Sequence, residues 1–273
     1  MCRILGCVAS APVSIRHELL EAENPMIRQS EEHDSGWGMA VYETAAGDAP
    51  NCVRFPEAAF ADGEFRPATE LRGRIFNVHV RRATMGGLTL ANTHPFCAWD
   101  YSLSHNGTIL EYPRLREQGV AAPAGDTDSE QFFQFLIGGL DAADVAGSLR
   151  RAVTCVIDRS PFSGLNVLFS DGERLYAYKL GIFELHWLAR PGQLLVASER
   201  ITDERWHQVH DDVLLTLDPA DPVEPHAERL VGDDAVARAD IRKFDEGVGL
   251  RGAERGAFAA DRAARMAGAS PSA

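Results

Sequence analysis

The stretch Met1-Cys2-Arg3-Ile4-Leu5-Gly6-Cys7-Val8 places a cysteine at position 2, directly before an apolar run that favours a β-strand. Removal of Met1 would leave a thiol and a free α-amine on the same residue. An α-amino group titrates at about pH 8, so near neutral pH it can accept the proton of the adjacent thiol. Cys2 is therefore a candidate nucleophile that carries its own base and needs no histidine partner.

A structural role for Cys2 is the alternative, because cysteine is among the residues most often buried in a first strand. The nucleophile hypothesis requires that the working chain starts at Cys2, since an amide nitrogen still joined to Met1 has no basic lone pair. The choice between the two interpretations depends on the polar motifs further along the chain.

Composition and charge limit the class of protein. A chain of 273 residues with 45% hydrophobic content is typical of an ordinary globular protein of one large or two modest domains. The formal net charge of -13 would repel a phosphate backbone, and there is no basic stripe with interleaved aromatic residues. Nucleic-acid binding is therefore disfavoured.

The cysteines are an odd number without CxxC spacing, which argues against a disulfide framework and against a zinc ribbon. We therefore expect a cytoplasmic protein. The apolar start is too short for a secretory signal, and no run approaches the length of a membrane span, so we expect no membrane partner. The five cysteines are Cys2, Cys7, Cys52, Cys97 and Cys155.

Short β-favouring segments recur along the chain, and several are joined by tight turns such as Ser170-Asp171-Gly172-Glu173. Such turns indicate antiparallel hairpins rather than parallel crossovers. The predicted strands are residues 2–8, 38–42, 75–80, 155–157, 165–169, 175–180, 183–188 and 194–197.

Helical periodicity falls between these strands, in residues 15–23, 110–118, 129–137 and 142–152. Thr127 and Glu130 have the spacing of a capping box, in which Thr127 caps the helix and Glu130 reaches back. Strands in two clusters with helices at both faces predict a layered α+β domain.

The domain is expected to cover residues 1–250, with a core that ends at about residue 199. Residues 200–250 become more polar, with prolines spaced through an acidic stretch, and are predicted to form a peripheral C-terminal extension. Residues 251–273 are rich in Ala, Gly and Arg, which is typical of a frayed helix or a flexible tail.

A first polar motif, residues 79–87, follows an apolar strand and ends in Gly86-Gly87. Arg81 offers a planar fork suited to bidentate capture of a carboxylate. The alternative is that Arg81 and Arg82 are solvated loop residues that pair with surplus acid.

A second motif, Asn106-Gly107, interrupts an apolar strand just before a helix. It can be an ordinary turn. It can also supply the Asn106 side-chain amide and the Gly107 N–H as donors to the oxyanion that forms when a thiol attacks an amide carbonyl.

A third motif, residues 125–130, stands at a predicted helix start, where the helix dipole favours carboxylates. The motif contains two aspartates, Asp126 and Asp128. Helix capping readily explains one of them but not both. Asp128 is a candidate partner for a ligand ammonium, so that Arg81 would hold the α-carboxylate and Asp128 the α-amine of an amino acid whose side-chain amide projects toward Cys2.

Taken together, these motifs resemble the class II glutamine amidotransferases, and in particular their small stand-alone members. The resemblance covers residues 1–199 and places every motif in the family's order. Arg82 and Met85 stand where synthase-linked relatives carry Trp and His. The motifs are Cys2, HDSGWGMA at 33–40, HVRRAT at 79–84, THPF at 93–96, HNG at 105–107 and GDTDSE at 125–130.

The resemblance implies an N-terminal nucleophile hydrolase fold, a four-layer αββα sandwich of two stacked antiparallel sheets. It also implies that Cys2 is the nucleophile and that Asn106 and Gly107 form the oxyanion hole. Glutamine would be bound by Arg81, Thr84 and Asp128.

The expected function is hydrolysis of glutamine or a γ-glutamyl amide through a γ-glutamyl thioester. No cofactor is expected. A metal site at His79, His94 and His105 is disfavoured because a metal would bind the thiolate rather than leave it free to attack. Two fates of the ammonia stay open: release, or transfer to a synthase partner that docks in trans. A non-catalytic glutamine-binding sensor or regulatory subunit is the alternative, and an assembly subunit with merely structural motifs is a further one.

Overall fold

Two antiparallel sheets form the frame of the structure, a computed structural model that describes residues 2–115, 122–244 and 260. The strands are β1 (Arg3–Val13), β2 (Trp37–Tyr42), β3 (Asn51–Phe55), β4 (Gly73–Val80), β5 (Phe96–Ala98), β6 (Tyr101–Asn106), β7 (Asn166–Ser170), β8 (Leu175–Lys179), β9 (His186–Arg190), β10 (Gln193–Ala197), β11 (His207–Gln208), β12 (Val213–Leu217) and β13 (His226–Arg229).

The helices are short at the start of the chain and longer in its middle. They are α1 (Arg16–Leu20), α2 (Met26–Gln29), α3 (Phe65–Ala68), α4 (Asp128–Gly138), α5 (Val145–Arg159) and α6 (Asp233–Arg238), with single 3₁₀ turns at Leu90–Asn92 and Tyr112–Leu115.

The first sheet has seven strands in the order β11-β9-β10-β1-β4-β2-β3, and the second has six in the order β13-β12-β8-β7-β6-β5. Strand β1 is central in the first sheet, between β10 and β4. The residue before it, Cys2, is therefore held at the end of a strand that is paired on both sides.

The two sheets pack face to face because alternate residues of their strands are apolar and point inward. Ile4 and Val8 of β1 belong to this inner cluster, together with Leu168 of β7, Leu175 of β8 and Leu215 of β12. These residues are almost completely buried. The inner cluster fixes the separation of the sheets and so the position of β1 over the second sheet.

The outer face of each sheet is covered by helices. Trp37 of β2 packs edge to face on Phe65 of α3, within a cluster that also contains Leu19 of α1. On the other side, Phe132 of α4 and Val153 of α5 pack with strands of the second sheet. The predicted α+β architecture of four layers, α, β, β and α, is confirmed.

The strand predicted at residues 155–157 is wrong, because these residues lie in α5. Their β-branched run continues a helical pattern in which Leu149, Val153 and Val156 are all buried on one face. Asp144 caps the helix by accepting a hydrogen bond from the Gly147 N–H at 2.8 Å. Of the helix predicted at 110–118, the described part is the 3₁₀ turn; residues 116–118 lie outside the described ranges.

The capping box at the start of α4 differs from the expected form in one partner. Thr127 Oγ1 accepts a hydrogen bond from the Glu130 N–H, as predicted. The Glu130 carboxylate, however, accepts from the N–H groups of Ala124 and Gly125, at 2.7 Å each. Glu130 therefore fixes the approach to the helix rather than closing the box on Thr127.

The segment after residue 199 contributes strands to both sheets. Strand β11 adds to the first sheet, and β12 and β13 extend the second. Leu214, Leu215 and Leu217 of β12 are buried in the core. Apart from residue 260, the predicted tail at 251–273 lies outside the described residues.

The two sheets are also joined by a disulfide between Cys52 and Cys97. Cys52 lies on β3, at one edge of the first sheet, and Cys97 lies on β5, at one edge of the second. The cysteine count and spacing argued against a disulfide framework, yet they did not exclude this single bond. The odd count still leaves Cys2, Cys7 and Cys155 as free thiols.

Within the described ranges, none of the helices combines the length and the apolar character that crossing a lipid bilayer requires.

Candidate active site

Cys2 lies against the loop that leaves β4. Its Sγ is 3.5 Å from both the backbone nitrogen and the carbonyl oxygen of Arg82, so the Arg82 N–H can donate to the sulfur. Only 9% of the Cys2 surface is exposed. The pairing of Arg3 with Val80 sets this position, because it brings the start of β1 to the end of β4.

Cys2 opens into a cavity of about 300 Å³, a volume at the lower end for small-molecule sites. Four of the predicted site residues share its wall: Cys2, Thr84, Asn106 and Gly107. The remaining lining residues are Arg82, Thr108, Ser163, Ile182, Phe183, Lys243 and Phe244.

Asn106 is the last residue of β6 and reaches the cavity because that strand ends there. Its Oδ1 is buried and has no hydrogen-bond partner among the described residues. Such atoms are rare in folded proteins unless water or a ligand satisfies them. An amide substrate in the cavity is one candidate for that partner.

Gly107 is required by the close approach of two chain segments. A Cβ at this position would lie 1.8 Å from the Gly164 carbonyl oxygen and 2.6 Å from His105 Nε2. The same carbonyl accepts a hydrogen bond from His105 Nε2 at 3.0 Å, and His105 Nδ1 is 2.9 Å from Ser129 Oγ. With the proton on Nε2, Nδ1 accepts from the Ser129 hydroxyl, and His105 fixes the position of Gly164 beside Gly107.

Thr84 is held in the cavity wall by a hydrogen bond between its hydroxyl and that of Thr108, at 2.9 Å. Thr108 is in turn fixed by Ser163, whose Oγ accepts from the Thr108 N–H at 3.0 Å. The loop after β4 and the segment after β6 are thereby joined on one side of Cys2.

Arg81 is buried and does not line the cavity. Its guanidinium donates to the carbonyl oxygens of Met85 at 2.8 Å, Gly86 at 3.3 Å and Gly87 at 3.0 Å. Burial lowers the pKa of Arg81 to about 10, so the group is still charged at neutral pH, while the charges of Cys2 and two aspartates act in the opposite direction.

Asp128 is also buried outside the cavity lining. Its carboxylate accepts from the Ile109 N–H at 2.7 Å, and Ser129 Oγ lies 3.4 Å away with its proton directed to His105. Burial raises the pKa of Asp128 above its ordinary value. The charge of His105 and the hydrogen bonds from backbone N–H groups oppose this rise. In this structure both members of the predicted clamp are engaged with the protein itself.

Burial raises the pKa of the Cys2 thiol, and the positive charge of Arg81 counteracts this effect. The negative charge of Asp128 adds to the effect of burial. Cys2 is therefore mainly a thiol at neutral pH, and a nearby base is needed to form the thiolate that attacks.

The other motif histidines form a neutral stack rather than a ligand set. The rings of His79 and His94 are stacked at a centroid distance of 4.2 Å, and burial lowers the pKa of each well below its usual value. In the part of the chain that the structure describes, no three His, Cys, Asp or Glu side chains are placed to hold a metal ion.

Sequence reasoning missed the far wall of the cavity. Phe183 packs against Gly164, where a Cβ would lie 2.8 Å from its ring. Lys243 and Phe244 follow a short parallel bridge between Ile241 and Phe162. No local pattern marks these residues, because tertiary pairing alone brings them to Cys2.

Comparison with known proteins gives three findings. The family model described as "Glutamine amidotransferases class-II" matches residues 1–193. The protein MJ1515 of Methanocaldococcus jannaschii is 32% identical over 200 residues, which cover 70% of this chain and 54% of that protein. The Escherichia coli protein YafJ is 27% identical over 213 residues, or 72% of this chain and 80% of YafJ.

Two solved structures share the fold. A glutamine aminotransferase class-II domain protein from Silicibacter pomeroyi superposes with a TM-score of 0.60 at 20% identity, over 85% of this chain and all of that one. The phosphoribosylpyrophosphate amidotransferase of Bacillus subtilis gives a TM-score of 0.63 at 15% identity, over 85% of this chain and 50% of that one. Because the family model covers well over half of the sequence, the chain belongs to the class II glutamine amidotransferases.

Proposed function

We propose that the protein hydrolyses the side-chain amide of glutamine or of a γ-glutamyl amide, with Cys2 as nucleophile. The observation that carries this proposal is the shared cavity wall of Cys2, Thr84, Asn106 and Gly107, four residues that are distant in sequence. An amide carbonyl in this cavity would meet the sulfur and the oxyanion donors together.

The reaction would run through a thioester. The α-amine of Cys2, freed by removal of Met1, takes the thiol proton, and the sulfur attacks the γ-carbonyl carbon. The carbonyl oxygen becomes an oxyanion bound by the Asn106 side chain and the Gly107 N–H. The amine then returns the proton to the leaving nitrogen, the C–N bond breaks, and ammonia or an amine departs. Water hydrolyses the thioester and restores Cys2.

The amine base is needed because burial raises the pKa of the thiol. Without a base in contact, few molecules would carry a thiolate at neutral pH. The Arg82 N–H, 3.5 Å from Sγ, would stabilise the thiolate once it forms.

We further propose that Arg81 and Asp128 bind the α-carboxylate and the α-amine of the substrate. Both are charged groups buried close enough to Cys2 to act on its pKa. A substrate carboxylate would replace the Met85, Gly86 and Gly87 carbonyls around Arg81. Rotation at Gly86, whose φ is 71°, would release these carbonyls at little steric cost because glycine populates this region freely.

The direct test is the Cys2→Ala protein assayed for glutamate release from glutamine and from a panel of γ-glutamyl amides. We expect the variant to fold with the same thermal transition as wild type and to release no glutamate. Hydrolysis at the wild-type rate by this variant would refute the mechanism. Intact mass of the active protein should correspond to a chain without Met1.

The fate of the ammonia gives two versions of the proposal: simple hydrolysis, or transfer to a synthase that docks in trans. If a synthase docks, glutaminase turnover should rise in its presence. If no partner co-purifies and added synthase leaves the glutaminase turnover unchanged, simple hydrolysis is the version that stands.

A non-catalytic glutamine sensor is a second candidate, since buried charges at Arg81 and Asp128 suit binding without chemistry. An electrophilic glutamine analogue separates the two. An enzyme should be labelled at Cys2 ahead of Cys7 and Cys155, the other free thiols. Binding of glutamine without labelling of Cys2 would favour the sensor.

A further inference from the structure

The far wall of the cavity has a composition that glutamine alone does not require. Its described lining carries Ile182, Phe183 and Phe244, the cation Lys243 and, beside Cys2, the cation Arg82; no carboxylate is among the described lining residues. The chain as a whole has a formal net charge of -13. Among the described lining residues, two cations without an acid are therefore a local departure from the charge of the molecule, and they would focus a positive potential into the cavity.

Hydrogen bonds fix the segments of the chain that form this wall. Phe162 donates its N–H to the Asp240 carbonyl at 3.0 Å and accepts from the Arg242 N–H at 2.8 Å, which fixes the segment that carries Lys243 and Phe244. Opposite, Asn166 donates to the carbonyls of Phe183 at 3.3 Å and Glu184 at 2.8 Å.

Lys243 has no ion-pair partner among the described residues, whereas its neighbour Arg242 pairs with Asp240. Lys179, by contrast, pairs with Asp211 at 2.6 Å. Within the described part of the chain, Lys243 is thus a cation at the cavity wall without a protein counter-ion.

We propose that this wall is a subsite for the leaving amine, and that the substrate is a γ-glutamyl amide whose amine part is an apolar or aromatic amino acid with a free carboxylate. The apolar side chain packs on Phe183 and Phe244, and its carboxylate pairs with Lys243. This inference rests on the proposed amide hydrolysis and names its substrate class. The products are glutamate and the free amino acid. Water supplies the hydroxyl of the new glutamate carboxyl group and a proton for the leaving nitrogen.

The test compares three substrates: glutamine, γ-glutamylphenylalanine, and γ-glutamylphenethylamide, which has the same ring without the carboxylate. We expect kcat/KM to be highest for γ-glutamylphenylalanine, by about fivefold over the phenethylamide, the size of a solvent-accessible charge pair. Lys243→Gln should bring these two values together, mainly through KM. The matched control is Arg242→Gln, which removes the adjacent cation that faces Asp240 and should keep the fivefold preference.

Binding to the Cys2→Ala protein, measured by calorimetry, gives the same comparison without turnover. Tighter binding of γ-glutamylphenylalanine than of the phenethylamide, lost in the Cys2→Ala/Lys243→Gln protein, supports the subsite even where hydrolysis fails. Equal kcat/KM and equal binding of the two compounds would overturn it. Cys2-dependent hydrolysis of glutamine with no preference between the two amides would refute the subsite and leave the amide hydrolysis standing.

Discussion

Gly107 and Gly164 touch backbone to backbone beside Cys2. A Cβ on Gly107 would lie 1.8 Å from the Gly164 carbonyl oxygen, a distance that no side chain adjustment can relieve, because the obstructing atom is main chain. The contact sets where the Gly107 N–H lies relative to the sulfur. The proposed oxyanion donor is therefore placed by a requirement for glycine at this position.

Gly107→Ala should abolish most of the activity, because the methyl group forces the two segments apart and moves the donor. We expect kcat to fall by about 100-fold or more, the usual effect of losing one oxyanion donor. Initial rates and circular dichroism spectra should be measured together. Gly63→Ala is the control, since a Cβ there meets nothing within 4 Å, and a similar loss in both variants would contradict this explanation.

Asn106→Ala should lower kcat by about 100-fold to 1000-fold, since its side chain is the second proposed donor. Its Oδ1 has no partner among the described residues, so the substitution breaks no hydrogen bond of that atom within this part of the protein. The melting temperature should therefore change little. Turnover of glutamine together with thermal unfolding checks this, and a kcat near that of wild type would remove Asn106 from the mechanism.

Asp128→Asn should raise the KM for glutamine by about tenfold, because the substrate ammonium loses a buried charge partner. The asparagine can still accept the hydrogen bond from the Ile109 N–H, so the fold should be kept. Asp126→Asn is the control, because Asp126 lies two residues before Asp128 and its carboxylate is exposed. That carboxylate accepts a hydrogen bond from Asn92 at 2.6 Å. An unchanged KM in the Asp128 variant would end the clamp proposal.

The protein should lose stability as the pH falls below about 6.5, the ordinary histidine pKa. His79 and His94 have pKa values well below this because they are buried. Below pH 6.5 the unfolded chain thus binds protons that the folded chain does not, so unfolding is favoured. The pair should cost about 3 kcal/mol at pH 5.5 relative to pH 8, to be measured by urea unfolding.

A variant separates this effect from other titrations. His79→Asn should flatten the fall in unfolding free energy between pH 8 and 5.5, whereas His226→Asn, at an exposed position, should leave its slope unchanged. Equal slopes in wild type and His79→Asn would show that the buried stack does not carry the effect.

Reduction of the Cys52–Cys97 disulfide should destabilise the fold by about 2 to 4 kcal/mol, because the bond closes a loop with a sequence separation of 45 and joins the edges of both sheets. Thermal unfolding with and without reductant checks this. A Cys52→Ser/Cys97→Ser protein should match the reduced wild type, while Cys155→Ser should respond to reductant as wild type does. If thiol titration finds five free cysteines in protein purified without reductant, the bond does not form in the cell that made the protein.

Three neighbouring strands of the first sheet could be predicted because their signals are local. Residues 2–8, 38–42 and 75–80 alternate or cluster in a strand-like way, and all three appear as β1, β2 and β4. The polar motifs follow the ends of these strands and of β6, and the family resemblance of the motifs, rather than the strand pattern, grouped Cys2, Thr84 and Asn106.

Features that depend on non-local pairing could not be predicted. Strand β12 is a short apolar run among acidic residues and prolines, and only its pairing with β8 makes it part of the core. The same holds for Cys52 and Cys97, on strands that are not neighbours in either sheet, and for Lys243, which reaches the cavity through the pairing of its segment with Phe162. At residues 155–157 the run was too short to distinguish a strand from one turn of a helix.

The central place of β1 has a consequence for the removal of Met1. One residue beyond Cys2 the main chain is already locked, since Arg3 is paired with Val80, and Ile4 exchanges hydrogen bonds of 3.1 Å with Ser198 through both its N–H and its carbonyl. An aminopeptidase must grip an extended, accessible end of its substrate. Under the proposed mechanism, trimming therefore belongs to the nascent chain, and a molecule that folds untrimmed should resist methionine aminopeptidase and remain inert for its lifetime.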